Sequence, residues 1–473
     1  MQNIDGTVVA TALPAMAQSF GADPLHMNLA LTSYLLSLAV FIPVSGWMAD
    51  RFGSRTVFRA AIAVFTVGSV LCGYSMNLPF LVLSRIIQGL GGAMMVPVGR
   101  LVLLRSVAKS ELVAAMAWLT MPALIGPIIG PPLGGFLVTY ASWRWIFTIN
   151  VPVGVLGIML VTRYVEDVRE PAPGRLDWVG LILSGAGLSG VTFGAEMLGR
   201  DVMPPALIAA CIGGGVLACW GYMRHAARRP DPLLDLSLLR IPTFAVSVLA
   251  GSLFRVGVGA IPFLLPMMIQ IGFGRSAAES GLITFASAIG ALAMKPAAQT
   301  ALRSFGFRAT LFWNAAASAV GVAVCAAFRP WWPMAALYAV LIFSGFLRSL
   351  QFTAYNTIGY ADIPRARMSA ATSLYSTIQQ LSLTFGITVG AGALGLSSRF
   401  TGGGQVDLGD FSFAFLVVSV IMLAAAPASL LMPADAGAEM SGHRRRSGVS
   451  QRPETPAAAS RGGRPRPPAP RGR

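Results

Sequence analysis

The stretch Leu81–Met95, LVLSRIIQGLGGAMM, is almost wholly apolar and yet carries Arg85. Gln88, Gly89 and Gly92 follow at +3, +4 and +7, on the arginine's side of a helix. An arginine at mid-bilayer depth costs roughly 2.5–3.5 kcal/mol on insertion scales, so it has to face a bundle interior or a wet cavity and find a partner there. The rest of the chain must supply both.

Across the 473 residues, 55% are hydrophobic and 11% charged, and the mean hydropathy is +0.67. Soluble domains carry about 25% charged residues, so this chain reads as a polytopic membrane protein. Its apolar runs are continuous rather than alternating, which excludes a membrane β-barrel and makes the fold all-α. Cys72, Cys211, Cys219 and Cys325 all lie in such runs, where packing rather than a disulfide framework is the default.

Met1–Phe20 is short and polar at its start, and reads as the back half of a span whose front half is expected upstream of Met1. Full spans follow at Asn28–Ala49, Thr56–Cys72, Pro79–Val98, Leu112–Tyr140, Trp145–Tyr164, Trp178–Met197 and Pro205–Met223. The later ones are Thr243–Ile271, Gly281–Ala301, Thr310–Phe328, Trp332–Phe352, Ala370–Leu396 and Phe411–Met432. With the first piece these make about fourteen helices. Sorting the basic residues of the turns by parity puts eighteen on one side, Arg100 and Arg348 among them, and five on the other. The rich side is expected to be cytoplasmic. The net charge of +16 is then a topology signal, not a nucleic-acid one. Residues 433–473 are rich in Pro, Arg and Gly and read as a disordered basic tail on that same side, with loose attraction to anionic lipid.

The loop GWMADRFGSRTVF (Gly46–Phe58) has a degraded echo in LRSFGFRATLF (Leu302–Phe312): Phe52, Gly53 and Arg55 match Phe305, Gly306 and Arg308, while Arg303 replaces Asp50. Such repetition is transporter architecture, with the binding site between two related halves. The organisation expected is a six-helix bundle at 1–164, a loop and two inserted helices at 165–240, a second six-helix bundle at 241–432, and the tail.

Five segments together resemble one family. They are IDGTVVATALP (Ile4–Pro14), the Gly46–Arg55 loop, LVLSRIIQGLGGA, IGPIIGPPLGG (Ile125–Gly135) and WRWIFTINVPVG (Trp143–Gly154). In order and at the right helices, they resemble the 14-span drug:proton antiporter family of the major facilitator superfamily. The resemblance implies the major facilitator fold and a proton-coupled exporter of small lipophilic compounds, in the bacterial inner membrane. It implies no enzyme activity, no cofactor beyond the proton gradient, and no nucleic-acid partner. The chain is expected to act as a monomer among membrane lipids, an outer-envelope or adaptor partner being left open.

Asp5 is the only acid of the first helix, and in the family the first and fourth helices both line the cavity. Asp5–Arg85 is therefore the expected proton-coupling pair, loaded and unloaded as their separation changes. Gly46, Asp50, Arg51, Gly53 and Arg55 form the loop that in the family latches the two halves. Gly126, Pro127, Gly130, Pro131, Gly134 and Gly135 match its antiporter motif; Gly126, Gly130 and Gly134 recur every four residues and let another helix approach closely. The two glycines that often precede that motif are replaced here by Val113 and Pro122. Gln88, Arg255 and Gln351 are the expected cavity residues, and Glu196 is expected at the membrane interface. His26, His225 and His443 are scattered and form no metal cluster. Arg85, Arg255 and Lys295 outnumber the embedded acids, so a dedicated exporter of an anionic or zwitterionic metabolite is the alternative; a membrane enzyme or sensor is a distant third.

Overall fold

The structure, a computed structural model, describes residues 1–21, 27–167, 169, 174–197, 203–400 and 406–442. Among these every regular element is a helix. The first group is α1 (Gln2–Phe20), α2 (Asn28–Phe41), α3 (Ser45–Phe52), α4 (Ser54–Gly73), α5 (Leu78–Ser106), α6 (Leu112–Tyr140), α7 (Trp145–Thr148) and α8 (Asn150–Tyr164). Then come α9 (Trp178–Met197) and α10 (Pro205–Ala226). The last group is α11 (Pro242–Met267), α12 (Ala277–Ala293), α13 (Ala298–Ala326), α14 (Met334–Ile358), α15 (Met368–Phe400), α16 (Leu408–Leu423), α17 (Ala425–Ser429) and α18 (Ala438–Ser441).

Eleven helices among the described residues are long and apolar enough to cross a membrane. The expected fourteen spans need α1, α6 and α12 as well, and these three pack within the same bundle. The outward surface is apolar: Trp118, Trp178, Trp313 and Phe343 are all well exposed, as side chains meeting lipid should be. Helices α9 and α10 pack on each other, and α9 lies against α2 and α15. Only 11% of the α10 span is buried, against 67% of the Leu29–Phe52 span, so α10 is a peripheral helix and α2–α3 a central one.

Local chemistry accounts for the ends. The Asn77 side chain accepts from Phe80 N–H (2.9 Å) at the start of α5, with Pro79 in its first turn. Ser276 and Glu279 form a reciprocal cap on α12, as Asp407 and Asp410 do on α16. Close backbone approach depends on small residues. Gly290 of α12 sits on Ile342 of α14, and Gly345 of α14 sits on Ser287 of α12; a Cβ at either glycine would strike backbone. The two echoed loops share a conformation that favours glycine: φ is +89° at Gly53 and +73° at Gly306. At Gly306 the backbone leaves helical geometry (φ 73°, ψ 168°), so α13 is two helical segments meeting at a kink, the first of them following a break at residues 294–297 that ends α12.

Two expectations need correction. Arg100 and Arg348 are not loop residues: α5 runs past the expected span end at Val98, Arg348 falls within the expected span Trp332–Phe352 itself, and both side chains are buried inside the bundle. The tail does not begin at 433. Pro433–Gly442 stays packed, with Met440 and Ser441 buried, α18 against α13, and a Cβ at Gly437 meeting Phe307 and Ile358. One apolar methionine in a polar stretch is enough to anchor a single turn. Helix α6 is assigned without interruption through Pro127 and Pro131. Residues 443–473, His26 and His443 lie outside the described residues, as do the side chains of Glu196, Pro127 and Pro131.

Candidate functional site

Arg85 is fully buried in α5, and its partner comes from α1. Its Nη1 donates to Asp5 Oδ2 (2.5 Å), with both side chains inaccessible to solvent. The same nitrogen donates to Gln88 Oε1 (2.5 Å), one turn along the same helix face. Nε donates to Ala30 O (3.0 Å) in α2. The guanidinium carbon stands 4.2 Å from the centroid of the Tyr34 ring, and 6.0 Å from that of Phe147.

Asp5 receives more than the arginine. Gln88 Nε2 donates to Asp5 Oδ1 (2.9 Å) and to Ser69 Oγ (2.6 Å). Asn150 Nδ2 donates to the same Asp5 oxygen (3.3 Å) and to the same serine (3.1 Å). Residues of α5 and α8 thus meet on the one carboxylate of α1, with Ser69 of α4 joining Gln88 to Asn150 behind it. Placement follows from helix phase: Gly68 is packed directly on the backbone of Gln88, so α4 and α5 are close enough for Ser69 to reach the network. Two buried groups are left over, Arg85 Nη2 and the Tyr34 hydroxyl.

Of the other expected residues, Gln88 belongs to this network rather than to an open wall. Gln351 is completely buried and knits α14 to α13, accepting from Asn314 Nδ2 (2.7 Å) and donating to Leu311 O (3.0 Å). Arg255 in α11 is buried, with Nη2 donating to Tyr375 OH of α15 and its guanidinium 5.5 Å from the Phe352 ring centroid. The glycines Gly126, Gly130 and Gly134 are buried along α6, while nothing would crowd a Cβ at Gly135.

The Gly46–Arg55 loop meets the far half of the chain. Gly46 N–H donates to Ser373 Oγ (2.8 Å). Asp50 Oδ1 accepts from Arg105 Nη2 (3.0 Å) and from Ser369 Oγ (2.6 Å). Arg105 Nη2 also donates to Ser369 Oγ (2.9 Å), so α3, α5 and α15 meet at one end. Behind them, Asp167 Oδ1 accepts from Arg55 N–H (3.2 Å), and its other oxygen accepts from Arg169 Nη2 (2.9 Å). Burial raises the Asp167 carboxyl pKa, but the bonds from Arg169, Thr56 and Arg55 outweigh it and hold it below its ordinary value. Arg51 is exposed. The basic loops gather at this end, with Arg367 paired to Asp235.

Ser69, Asn150 and Tyr34 were not foreseen. Asn150 could have been, because it is the one amide inside WRWIFTINVPVG. Among the described residues no group of His, Cys, Asp and Glu is arranged to hold a metal.

Residues 1–387 match a family model described as Major Facilitator Superfamily. The chain is 39% identical over 406 residues to the protein of Salmonella typhimurium named "Putative multidrug resistance protein MdtD", covering 84% of each. Its counterpart in Salmonella heidelberg gives the same figures. Among solved structures, the proton:xylose symporter XylE bound to 6-bromo-6-deoxy-D-glucose superposes with a TM-score of 0.60 at 16% identity, covering 90% of this chain and 91% of that one. The human organic anion transporter MFSD10 (TETRAN) superposes with a TM-score of 0.64 at 14% identity, covering 90% and 96%.

Proposed function

This chain belongs to the Major Facilitator Superfamily, with the fold of its membrane transporters, and on that premise we propose that it is a proton-coupled exporter of small lipophilic compounds. The observation that carries the coupling is the Asp5–Arg85 pair, fully buried and cross-linked by Gln88, Asn150 and Ser69. A buried pair of this kind contributes little net stability against an apolar replacement, so its place in the bundle is better explained by a change of state. When α1 moves away from α5, Asp5 gives up donors, and a proton takes the vacated position. When they approach, Arg85 replaces the proton. The likeness to the drug-resistance relatives supports the substrate class.

The Gly46–Arg55 loop acts as the latch. It holds α15 through Ser369 and Ser373 while the arginine-rich end, assigned to the cytoplasm of a bacterial inner membrane, is closed. The packed α6 glycines keep that helix close to its neighbours. The chain works as a monomer without a cofactor, energised by the proton gradient alone.

One observation favours a second reading, export of an anionic or zwitterionic metabolite. Arg100, Arg255, Lys295 and Arg348 are buried, and among the described residues no carboxylate pairs with any of them. Efflux from vesicles, driven by an imposed pH gradient and screened with lipophilic cationic dyes against lipophilic acids, separates the two. Gradient-dependent efflux of dyes alone supports the first reading, and of acids alone the second. Efflux indifferent to the gradient rejects proton coupling in both.

A further inference from the structure

Arg85 has a counter-charge; among the described residues four other buried cations, Arg100, Arg255, Lys295 and Arg348, have none. Two of these four converge. From α5, Arg100 Nη1 donates to Tyr360 OH (3.3 Å) and Ser376 Oγ (3.4 Å), and its Nη2 donates to Gln379 Oε1 (3.1 Å). From α11, Arg255 Nη2 donates to Tyr375 OH. Both guanidinium carbons lie beside one ring, 5.2 Å and 4.8 Å from the Tyr375 centroid. Arg100 is 3% and Arg255 1% exposed, and the Nε of each is buried without a partner. Every acceptor is neutral, three hydroxyls and one amide. Placing two guanidinium groups at low dielectric with neutral acceptors only is costly, and leaves a strong local preference for an anion.

We infer that Arg100, Arg255, Tyr375 and Gln379 form a binding site for the carboxylate group of a transported organic anion, loaded from the arginine-rich end. The inference deepens the second reading above and rests on it. Its geometry follows from which half each group belongs to. All three acceptors of Arg100 lie beyond α14, on the chain leading into α15 or on α15 itself. Separation of α5 from α15 therefore strips Arg100 of every acceptor at once. Arg255 keeps Tyr375, since both lie in the later half. Arg100 lies five residues inward of Arg105 on α5, about 7.5 Å at a helical rise of 1.5 Å per residue, so the pair sits just behind the Asp50–Arg105–Ser369 contact. Opening that contact exposes the site to that side. A carboxylate then presents two oxygens to a planar fork of donors, a match that hydroxyls and a single amide cannot equal. Reclosure brings the second guanidinium to the same anion. A lipophilic cation entering the same space meets two uncompensated positive charges.

The test uses the purified full-length chain and three probes of one ring system: 2-naphthoate, the uncharged 2-naphthamide and the cationic 2-naphthylmethylammonium, each measured by equilibrium dialysis. The expected result is that naphthoate binds more tightly than the amide. Arg100→Gln and Arg255→Gln should each weaken naphthoate binding by about tenfold or more, with the amide unaffected. Arg100→Lys and Arg255→Lys, which keep the charge, should recover part of the loss and show that the variants fold. Naphthoate binding no tighter than naphthamide, or equally tight in both Gln variants, overturns the inference. Gradient-driven efflux of the ammonium probe in proteoliposomes is read alongside. If it persists while naphthoate fails to bind, the anion site falls and the transporter reading stands. If no probe is driven while naphthoate binding depends on both arginines, the site stands and the coupling fails.

Discussion

Asp5 holds its position through donors from two other helices, Arg85 and Gln88 of α5 and Asn150 of α8. Removing one partner of a buried ion pair leaves the other uncompensated, at a cost of about 3–5 kcal/mol. Arg85→Leu should therefore destabilise the protein by that amount in denaturant unfolding, and Asp5→Asn combined with Arg85→Leu should be more stable than Arg85→Leu alone. Additive losses in the double variant would mean that the two side chains do not act as a pair. At this scale the sequence was most informative where burial cost was highest. An arginine amid apolar residues demands an anion, and the first helix has only Asp5 to give. Ser69 and Tyr34 were illegible for the opposite reason: neutral polar residues are cheap enough to occur throughout these helices, and nothing in their spacing selects those that meet across helices. Arg100 and Arg348 were misplaced because an arginine near a helix end reads as a topology signal whether its guanidinium turns outward or inward.

Between elements, the decisive contacts are small residues and caps. A Cβ on Gly46 would stand 2.6 Å from both Ser369 O and Ser373 Oγ. Gly46→Val should hold α3 away from α15, at an overpacking cost of about 1–3 kcal/mol. Turnover in proteoliposomes should then fall severalfold or more while the unfolding midpoint barely moves, because parting the halves relieves the strain. Unchanged turnover would remove this contact from the cycle. At the inserted pair, Asp177 N-caps α9 through Gly180 N–H (3.0 Å) and meets His225 Nε2 of α10 (2.9 Å). Burial raises the Asp177 pKa, but those bonds and the charges of His225 and Arg229 outweigh it and keep it below the ordinary carboxylate value. A depressed carboxylate stabilises the fold fully above its unfolded pKa and loses that contribution as the pH falls through the folded one. Acid should thus loosen α9 from α10 below about pH 4, and Asp177→Asn should abolish that part of the pH dependence in thermal unfolding. The existence of these helices was readable from apolar run length. Their ends were not, since α5 and α14 continue as helix past the point where the apolar run stops, and the Gly306 turn keeps its flanks helical.

The whole molecule joins a buried titratable pair in its first half to a closed contact between α3, α5 and α15 at one end. The echo of Gly53 at Gly306, visible in sequence, reappears as the same positive-φ turn, whereas the second half holds no counterpart of the Asp5–Arg85 pair among its described ion pairs. In this reading proton coupling belongs to the first half, and the buried cations Arg255, Lys295 and Arg348 of the second half lean toward substrate. The most direct measurement compares two transport modes of Asp5→Asn in the same proteoliposomes, substrate exchange at equal pH and accumulation driven by a pH gradient. If Asp5 carries the proton, exchange persists and gradient-driven accumulation disappears. Accumulation equal to that of the unaltered protein would contradict proton coupling through the Asp5–Arg85 pair.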